Sequence, residues 1–345
     1  MESERTDVRT EAPLITETSD NKETRLHIID IVRFAACLMI FLYHCNTILP
    51  GEFRFLTFFG EDMGNELFFL ISGFALYPSI KNTGIRDFLP WYLKRLKKIL
   101  PVLVLFYILS YLTGFYSLKD PVQLFTVFIY PTLYWFVTAI LVFYILLFFY
   151  IKSPEYVRWI IPVVILIIWV LRADKMEGYY LIGGFSMILG AVLRKKTMDQ
   201  GKRGIPGWIT AGTVLSFIFY MVSKYFKFTG KEMMAGAVNM AYVLPGITAV
   251  IAGGFILAIG VLAKDSIKEF FTGKEKIYSV IKYAGALALY IYMVQCFNAG
   301  IIGYTIGLKV KFPWSFPVNL IIVCGLAALI NVLIDLCIGG KNGIR

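Results

Sequence analysis

One stretch constrains this chain more than any other: residues 26 to 50, LHIIDIVRFAACLMIFLYHCNTILP, are apolar and long enough to cross a bilayer as a helix, yet contain Asp30, Arg33 and His44. Charge at that depth is costly and needs a partner or a purpose. From Arg33 to His44 is eleven residues. Eleven helical steps of roughly 100° bring the second side chain to within about 20° of the first, and lift it by roughly 16 Å. One helix face therefore carries a cation near one membrane surface and an imidazole toward the other. Each residue also has a plain structural reading. Asp30 lies three residues before Arg33 and can neutralise it, and a histidine at a helix end is wetted by headgroups.

Composition settles the class. At 345 residues and 58% hydrophobic, with a mean hydropathy of +0.70, the expected fold class is all-α, a polytopic integral membrane protein with about ten transmembrane helices. The net charge of +11 does not point to nucleic acid, because the basic residues sit in short connections between apolar spans. The five cysteines fall within or at the ends of those spans without a C-x-x-C pair, and there are two histidines, His27 and His44. No disulfide framework and no metal site is indicated.

Residues 1–26 are polar and of mixed charge, with no apolar core followed by a small-residue cleavage site, and are expected to form a disordered cytoplasmic tail. The ten spans are expected at 26–50, 64–80, 100–116, 133–151, 157–171, 178–193, 205–221, 237–263, 280–304 and 315–338, followed by a short cytoplasmic tail at 341–345. Residues 51–63 read as a short loop, 86–99 as a basic amphipathic interfacial segment, and 121–130 as a half-immersed turn. Pro245 and Gly246 are expected to break the eighth span. With both termini inside, 24 basic residues fall on the cytoplasmic side and nine in outside loops, Lys224 among the nine. This asymmetry places the protein in the cell membrane as a multi-pass chain, with Arg33 toward the cytoplasm and His44 toward the exterior.

Several motifs accompany the first helix. Glu66 precedes Leu67-Phe68-Phe69-x-x-Ser72-Gly73-Phe74, and enters the membrane at about the depth of His44. A carboxylate there can orient an imidazole, although an acid at a helix start also suits the helix dipole. Arg95 and Lys98 precede Pro101. Trp135-Phe136 opens the fourth span, and Tyr292 and Gln295 lie in ALALYIYMVQCF.

Together, Asp30-x-x-Arg33-x(10)-His44, the Glu66 to Phe74 signature, the R-x-x-R-like Arg95/Lys98, the aromatic Trp135 segment and Tyr292 resemble the membrane-bound acyltransferase-3 family of cell-envelope O-acetyltransferases. The resemblance assigns residues 27–340 to one acyltransferase-3-like transmembrane domain. It departs at Lys98, where the family has a second arginine, and at Gln295, where many members have a second histidine. It implies an O-acyltransferase that moves an acyl group, most naturally acetyl, from acyl-CoA to a hydroxyl of a cell-surface polysaccharide or lipid-linked sugar. His44, Arg33 and Glu66 would be catalytic, and Arg95, Lys98 and Arg33 would hold coenzyme A. Asp30, Ser72, Trp135, Tyr292 and Gln295 would support the site or touch substrate. Acetyl-CoA would be a substrate, with no permanently bound cofactor. The competing class is a multispan glycan exporter or flippase, in which the same residues would be substrate or proton-relay contacts.

Overall fold

The computed structural model describes residues 27–45, 48–114, 134–172, 176–200, 209–229, 234–235, 238–300 and 313–337. The expected tails and the expected turn at 121–130 lie outside them. Among the described residues the chain is helical except for turns and a two-residue antiparallel ladder, Met234 opposite Asn239 and Ala235 opposite Val238.

The helices are α1 (His27–His44), α2 (Asn65–Lys81), α3 (Phe88–Leu112), α4 (Trp135–Lys152), α5 (Glu155–Arg172) and α6 (Met176–Gln200). They continue with α7 (Ile209–Phe228), α8 (Met240–Leu262), α9 (Lys264–Phe271), α10 (Glu275–Ala286), α11 (Ala288–Gly300) and α12 (Ser315–Cys337). Each expected span coincides with a helix or helix pair, but the count of ten crossings does not follow from length and hydropathy. Among the described residues, four helices, α1, α4, α8 and α12, are long and apolar enough to cross a membrane, and a fifth crossing results if the α10–α11 pair is one span. The remaining helices are short or carry charge. α2 has 17 residues, α3 holds four basic residues in its first half, and α5 has Glu155, Arg158 and Arg172 along it.

The basic segment at 86–99 feeds the third span as one helix, and two other expectations about local structure need correction. Apart from a short 3₁₀ turn at Ile85–Asp87, both belong to α3, which runs through Pro101 for 25 residues, roughly 37 Å at the helical rise. The stretch 51–63 is not plain loop, but a 3₁₀ helix, Gly51–Phe59, continuing into a π-helical turn, Gly60–Gly64. Pro245 and Gly246 do not break α8, because Pro245 lies in its second turn, near enough to the start that little of the hydrogen-bond ladder is lost. The break falls instead between α10 and α11, which meet at 61°. There Gly285 packs so closely on α1 that a Cβ would sit 3.1 Å from the Asp30 carbonyl.

α2 is the enclosed centre. It is apolar on all sides rather than along one stripe, and most of its length is buried, as befits a helix surrounded by others. Its tightest neighbour is α6. Gly73 of α2 lies on the backbone of Met187, and Gly190 of α6 on the backbone of Leu70, so a Cβ at either position would collide with main chain. Small residues at a crossing let two backbones approach, which is how helices associate where burying apolar surface gives no advantage. Outer helices present apolar side chains to the surroundings, among them Ile167 of α5 and Ile321 of α12. A water-soluble surface would not carry such an extent of apolar residues, and a bilayer suits it.

From α2 to α7 consecutive helices alternate in direction, so α2, α4 and α6 run the same way and end at one face. At one face, the Lys152 Nζ at the end of α4 donates to the Lys81 carbonyl at the end of α2 (3.0 Å). At the other, Lys224 near the end of α7 meets Asp62, just before α2. Between α9 and α10, Gly273 adopts φ +77°, and its N–H donates to the Glu275 carboxylate (2.8 Å).

Candidate functional site

The first polar cluster forms around the N-terminal half of α1. Asp30 is fully buried and accepts a hydrogen bond from the Tyr278 hydroxyl on α10 (2.7 Å). Arg33 reaches Asp30 at 4.0 Å, and about a quarter of its side chain remains exposed. The Tyr278 ring also packs at a tilt against His27 (centroids 4.2 Å). The expected Asp30–Arg33 pair is therefore present as a loose contact, and Tyr278 supplies Asp30 with a closer hydrogen bond.

Arg95, on α3, is pinned. Its Nη1 donates to the Trp91 carbonyl (2.9 Å), its Nη2 donates to Ser79 Oγ of α2 (2.7 Å), and its guanidinium lies 4.0 Å from the centre of the Trp91 ring. Ser79 Oγ also accepts from Trp91 Nε1 (3.1 Å). The Arg95 Nε has no partner among the described residues, and an unpaired donor on a fixed guanidinium suits an anion. Lys94, Lys97 and Lys98 point outward and are exposed. Of the two residues matched to R-x-x-R, only Arg95 is turned inward.

Arg33 and Arg95 are linked by a residue that sequence reading did not single out. The hydroxyl of Tyr144, on α4, lies beside Ser72 and within electrostatic reach of both guanidinium groups. Two cations, a phenol and a serine on α1, α2, α3 and α4 thus form one electropositive cluster. Ser72 gains an explanation here, and so does Gly73, whose missing side chain admits α6.

At the other end of α1, His44 is half-buried. Its Nε2 lies 3.7 Å from Cys296 Sγ on α11, and its ring meets Tyr43 edge-on. Tyr292 lies one turn before Cys296 on α11, and its ring packs on Phe136 (5.1 Å). Trp135 lies beside Phe136 at the start of α4 (6.0 Å). His44, Tyr292 and the Trp135–Phe136 pair are therefore brought into one neighbourhood. Gln295 is buried next to Cys296 in the chain, and neither its amide oxygen nor its nitrogen has a hydrogen-bond partner among the described residues. An unsatisfied buried amide costs about 1–3 kcal/mol.

Glu66 faces a different neighbour. Its carboxylate accepts a hydrogen bond from the buried Ser186 of α6, and Asp62 is close enough to repel it. The expected support of the His44 ring by Glu66 has no hydrogen bond behind it. Asp62 is held by Lys224, both buried, with Nζ to Oδ2 at 2.6 Å, and Tyr220 one turn earlier donates to the Phe58 carbonyl. Lys224 was expected in an external loop, but α7 extends to Phe228 and buries it. A lysine flanked by Tyr220, Met221 and Tyr225 in the sequence was the available signal. Tyr144, Ser186, Tyr278 and Cys296 carried none, since each is an unremarkable residue in an apolar helix. Among the described residues no group of three or more His, Cys, Asp or Glu side chains could hold a metal ion.

Comparison with known proteins supplies the family. A search of curated proteins and a search of solved structures each return no match. The family model for the acyltransferase-3 domain matches residues 26–336, a range that takes in both polar clusters and every helix but the last residue of α12. This chain belongs to the acyltransferase-3 domain family.

Proposed function

We propose that the protein is an integral-membrane O-acyltransferase that takes an acyl group, acetyl in the first instance, from acyl-CoA and passes it to a hydroxyl of a cell-surface polysaccharide or lipid-linked sugar. The observation that supports this most is the division of labour along α1: Arg33 belongs to the electropositive Arg95–Tyr144–Ser72 cluster, and His44 stands at the opposite end beside α11. Coenzyme A carries phosphates at one end and the thioester at the other, joined by a flexible arm to cover the roughly 16 Å that the helical rise puts between the two residues. Arg95 and Arg33, with Lys98 at the rim, would hold the phosphates on the cytoplasmic side.

His44 would act at the thioester. As a base it removes the proton of the acceptor hydroxyl while that oxygen attacks the acyl carbon, and the coenzyme A thiolate leaves. As a nucleophile it would first carry the acyl group itself. Glu66 stays in this reading as a buried carboxylate behind the site, acting through Ser186. The unpaired amide of Gln295 is a ready hydrogen-bond partner for a hydroxylated acceptor, next to Tyr292 and the Trp135 segment.

The test is transfer in membrane vesicles incubated with labelled acetyl-CoA and a glycan extract. Label should appear in the glycan with the parent chain, and not with His44→Ala or with His44→Gln, which keeps a hydrogen bond but cannot take the proton. Transfer by a His44→Ala protein at the parent rate would remove His44 from the chemistry. Glycan movement across the vesicle without donor consumption would replace the enzyme with an exporter.

A further inference from the structure

A cavity of about 580 Å³ opens on the far side of α2 from Arg95, where α2, α4 and α6 end and α5 begins. Lys81, Lys152, Arg158, Lys195 and Lys196 line it, against two carboxylates, Glu155 and Asp199. Basic residues at helix C-termini have an ordinary role, and two of these five fulfil it. Lys152 donates to the Lys81 carbonyl, and the Arg158 Nη2 donates to the carbonyls of Ile151 (3.2 Å) and Ser153 (2.8 Å), closing the end of α4. The ammonium groups of Lys81, Lys195 and Lys196 are not used in this way. They converge on the cavity from two helices, and the excess of positive charge is theirs.

The chemistry of the walls narrows the ligand. Trp159 lines the cavity and also begins a stripe on α5, since Trp159, Val163 and Ile167, four residues apart, are 61%, 52% and 55% exposed. Residues at that spacing share a helix face. A basic chamber thus continues into an apolar track along α5, with an indole at the junction, a residue type favoured where headgroup and chain regions meet.

We propose that this cavity binds the phosphate headgroup of an anionic glycerophospholipid, with its acyl chains laid along the exposed face of α5. The site is separate from the Arg33–Arg95 cluster and does not depend on the acyltransferase reading. A soluble phosphate ester would satisfy the lysines but leave the track unused, which is what separates the two sources of the same chemistry.

The experiment uses the full chain purified in detergent and titrated with dioleoyl-phosphatidylglycerol, dioleoyl-phosphatidylcholine, glycerol 3-phosphate or inorganic phosphate. Native mass spectrometry counts retained lipid, and thermal unfolding reports protection. Phosphatidylglycerol should be retained and should protect, and the other three should not. Lys81→Gln/Lys195→Gln/Lys196→Gln, all at exposed positions, should weaken phosphatidylglycerol binding by roughly tenfold or more, given the attraction of each basic residue for an anionic lipid. Trp159→Ala should weaken it as well. Equal retention of the two lipids would overturn the proposal, as would a triple variant that holds phosphatidylglycerol like the parent. Protection by glycerol 3-phosphate or phosphate equal to that of the lipid would assign the cavity to a soluble ligand. If the triple variant does not fold, Trp159→Ala and the two-lipid comparison on the parent decide the matter alone.

Discussion

Replacing Lys224 by Met tests how the segment between α1 and α2 is held. The Lys224 Nζ and Asp62 Oδ2 are 2.6 Å apart, and both side chains are less than a tenth exposed. Removing one member of such a pair leaves a buried charge without its partner, at a cost of about 3–5 kcal/mol. Here the Asp62 carboxylate stays buried when Lys224 is replaced, so the cost should fall within that range. Replacing both members removes the charge imbalance, and buried pairs exchanged for neutral groups of similar size are often close to neutral overall. The measurement is a double-mutant cycle by thermal or denaturant unfolding of the purified chain in detergent, with Lys224→Met, Asp62→Asn and the two combined. Lys224→Met should be the most destabilised of the three, and the double variant should recover most of the loss, giving a coupling of at least about 2 kcal/mol. If Lys224→Met lies within about 1 kcal/mol of the parent, the pair behaves as an exposed one, and its role as an anchor is refuted.

Tyr144→Phe keeps the ring but removes the hydroxyl beside Ser72 and the two arginines; stability should fall by about 1 kcal/mol, and acyl transfer should fall through weaker use of the donor, read as a raised KM for acyl-CoA. Arg33→Lys should lose most activity although the charge is kept, because an ammonium cannot make the forked contacts of a guanidinium; unchanged turnover and donor affinity would leave Arg33 a purely structural partner of Asp30. Gly73→Ala and Gly190→Ala should each destabilise by about 1–3 kcal/mol through overpacking, with Gly325→Ala, which meets nothing within 4 Å, as a near-neutral control in unfolding experiments. In a cysteine-free background, cysteines replacing Arg54 and Lys97, both exposed, report orientation: an impermeant thiol reagent on intact cells should label position 54 and not 97, and the reverse pattern would invert the topology.

What could be read from the sequence was the class of each segment and the residues that carry unusual chemistry for their surroundings. Arg33, His44 and Glu66 are conspicuous because an ionisable group in an apolar run needs an explanation whatever the fold. Their partners are not conspicuous. Ser186 answers Glu66 from 120 residues away and Tyr278 answers Asp30 from 248 residues away, and a serine or tyrosine inside an apolar helix costs too little to attract notice. The same physics explains the misplaced break. A proline followed by a glycine is the usual signal for one, but Pro245 falls in the opening turns of α8, where a missing N–H matters little. The bend falls instead beside Gly285, which packs closely on α1, a contact that only the tertiary structure reveals. Lys224 was misassigned because charge counting treats a lysine near a span end as exposed, whereas Asp62 takes it in.

The bend between α10 and α11 gives the site a seam. α10 reaches the Arg33 end of α1 through Tyr278 and Gly285, and α11 reaches the His44 end through Cys296, so a single stretch of chain visits both ends of α1 with a joint between the visits. Inserting one alanine at Leu287 would advance the second piece by one residue, turning it by about 100°. Cys296, Tyr292 and Gln295 would swing away from His44 together, while Tyr278 kept its hold on Asp30. The two ends of α1 would then be separable by reading frame within a helix rather than by deleting any side chain: a chain able to grip a donor, facing an acceptor neighbourhood assembled out of register.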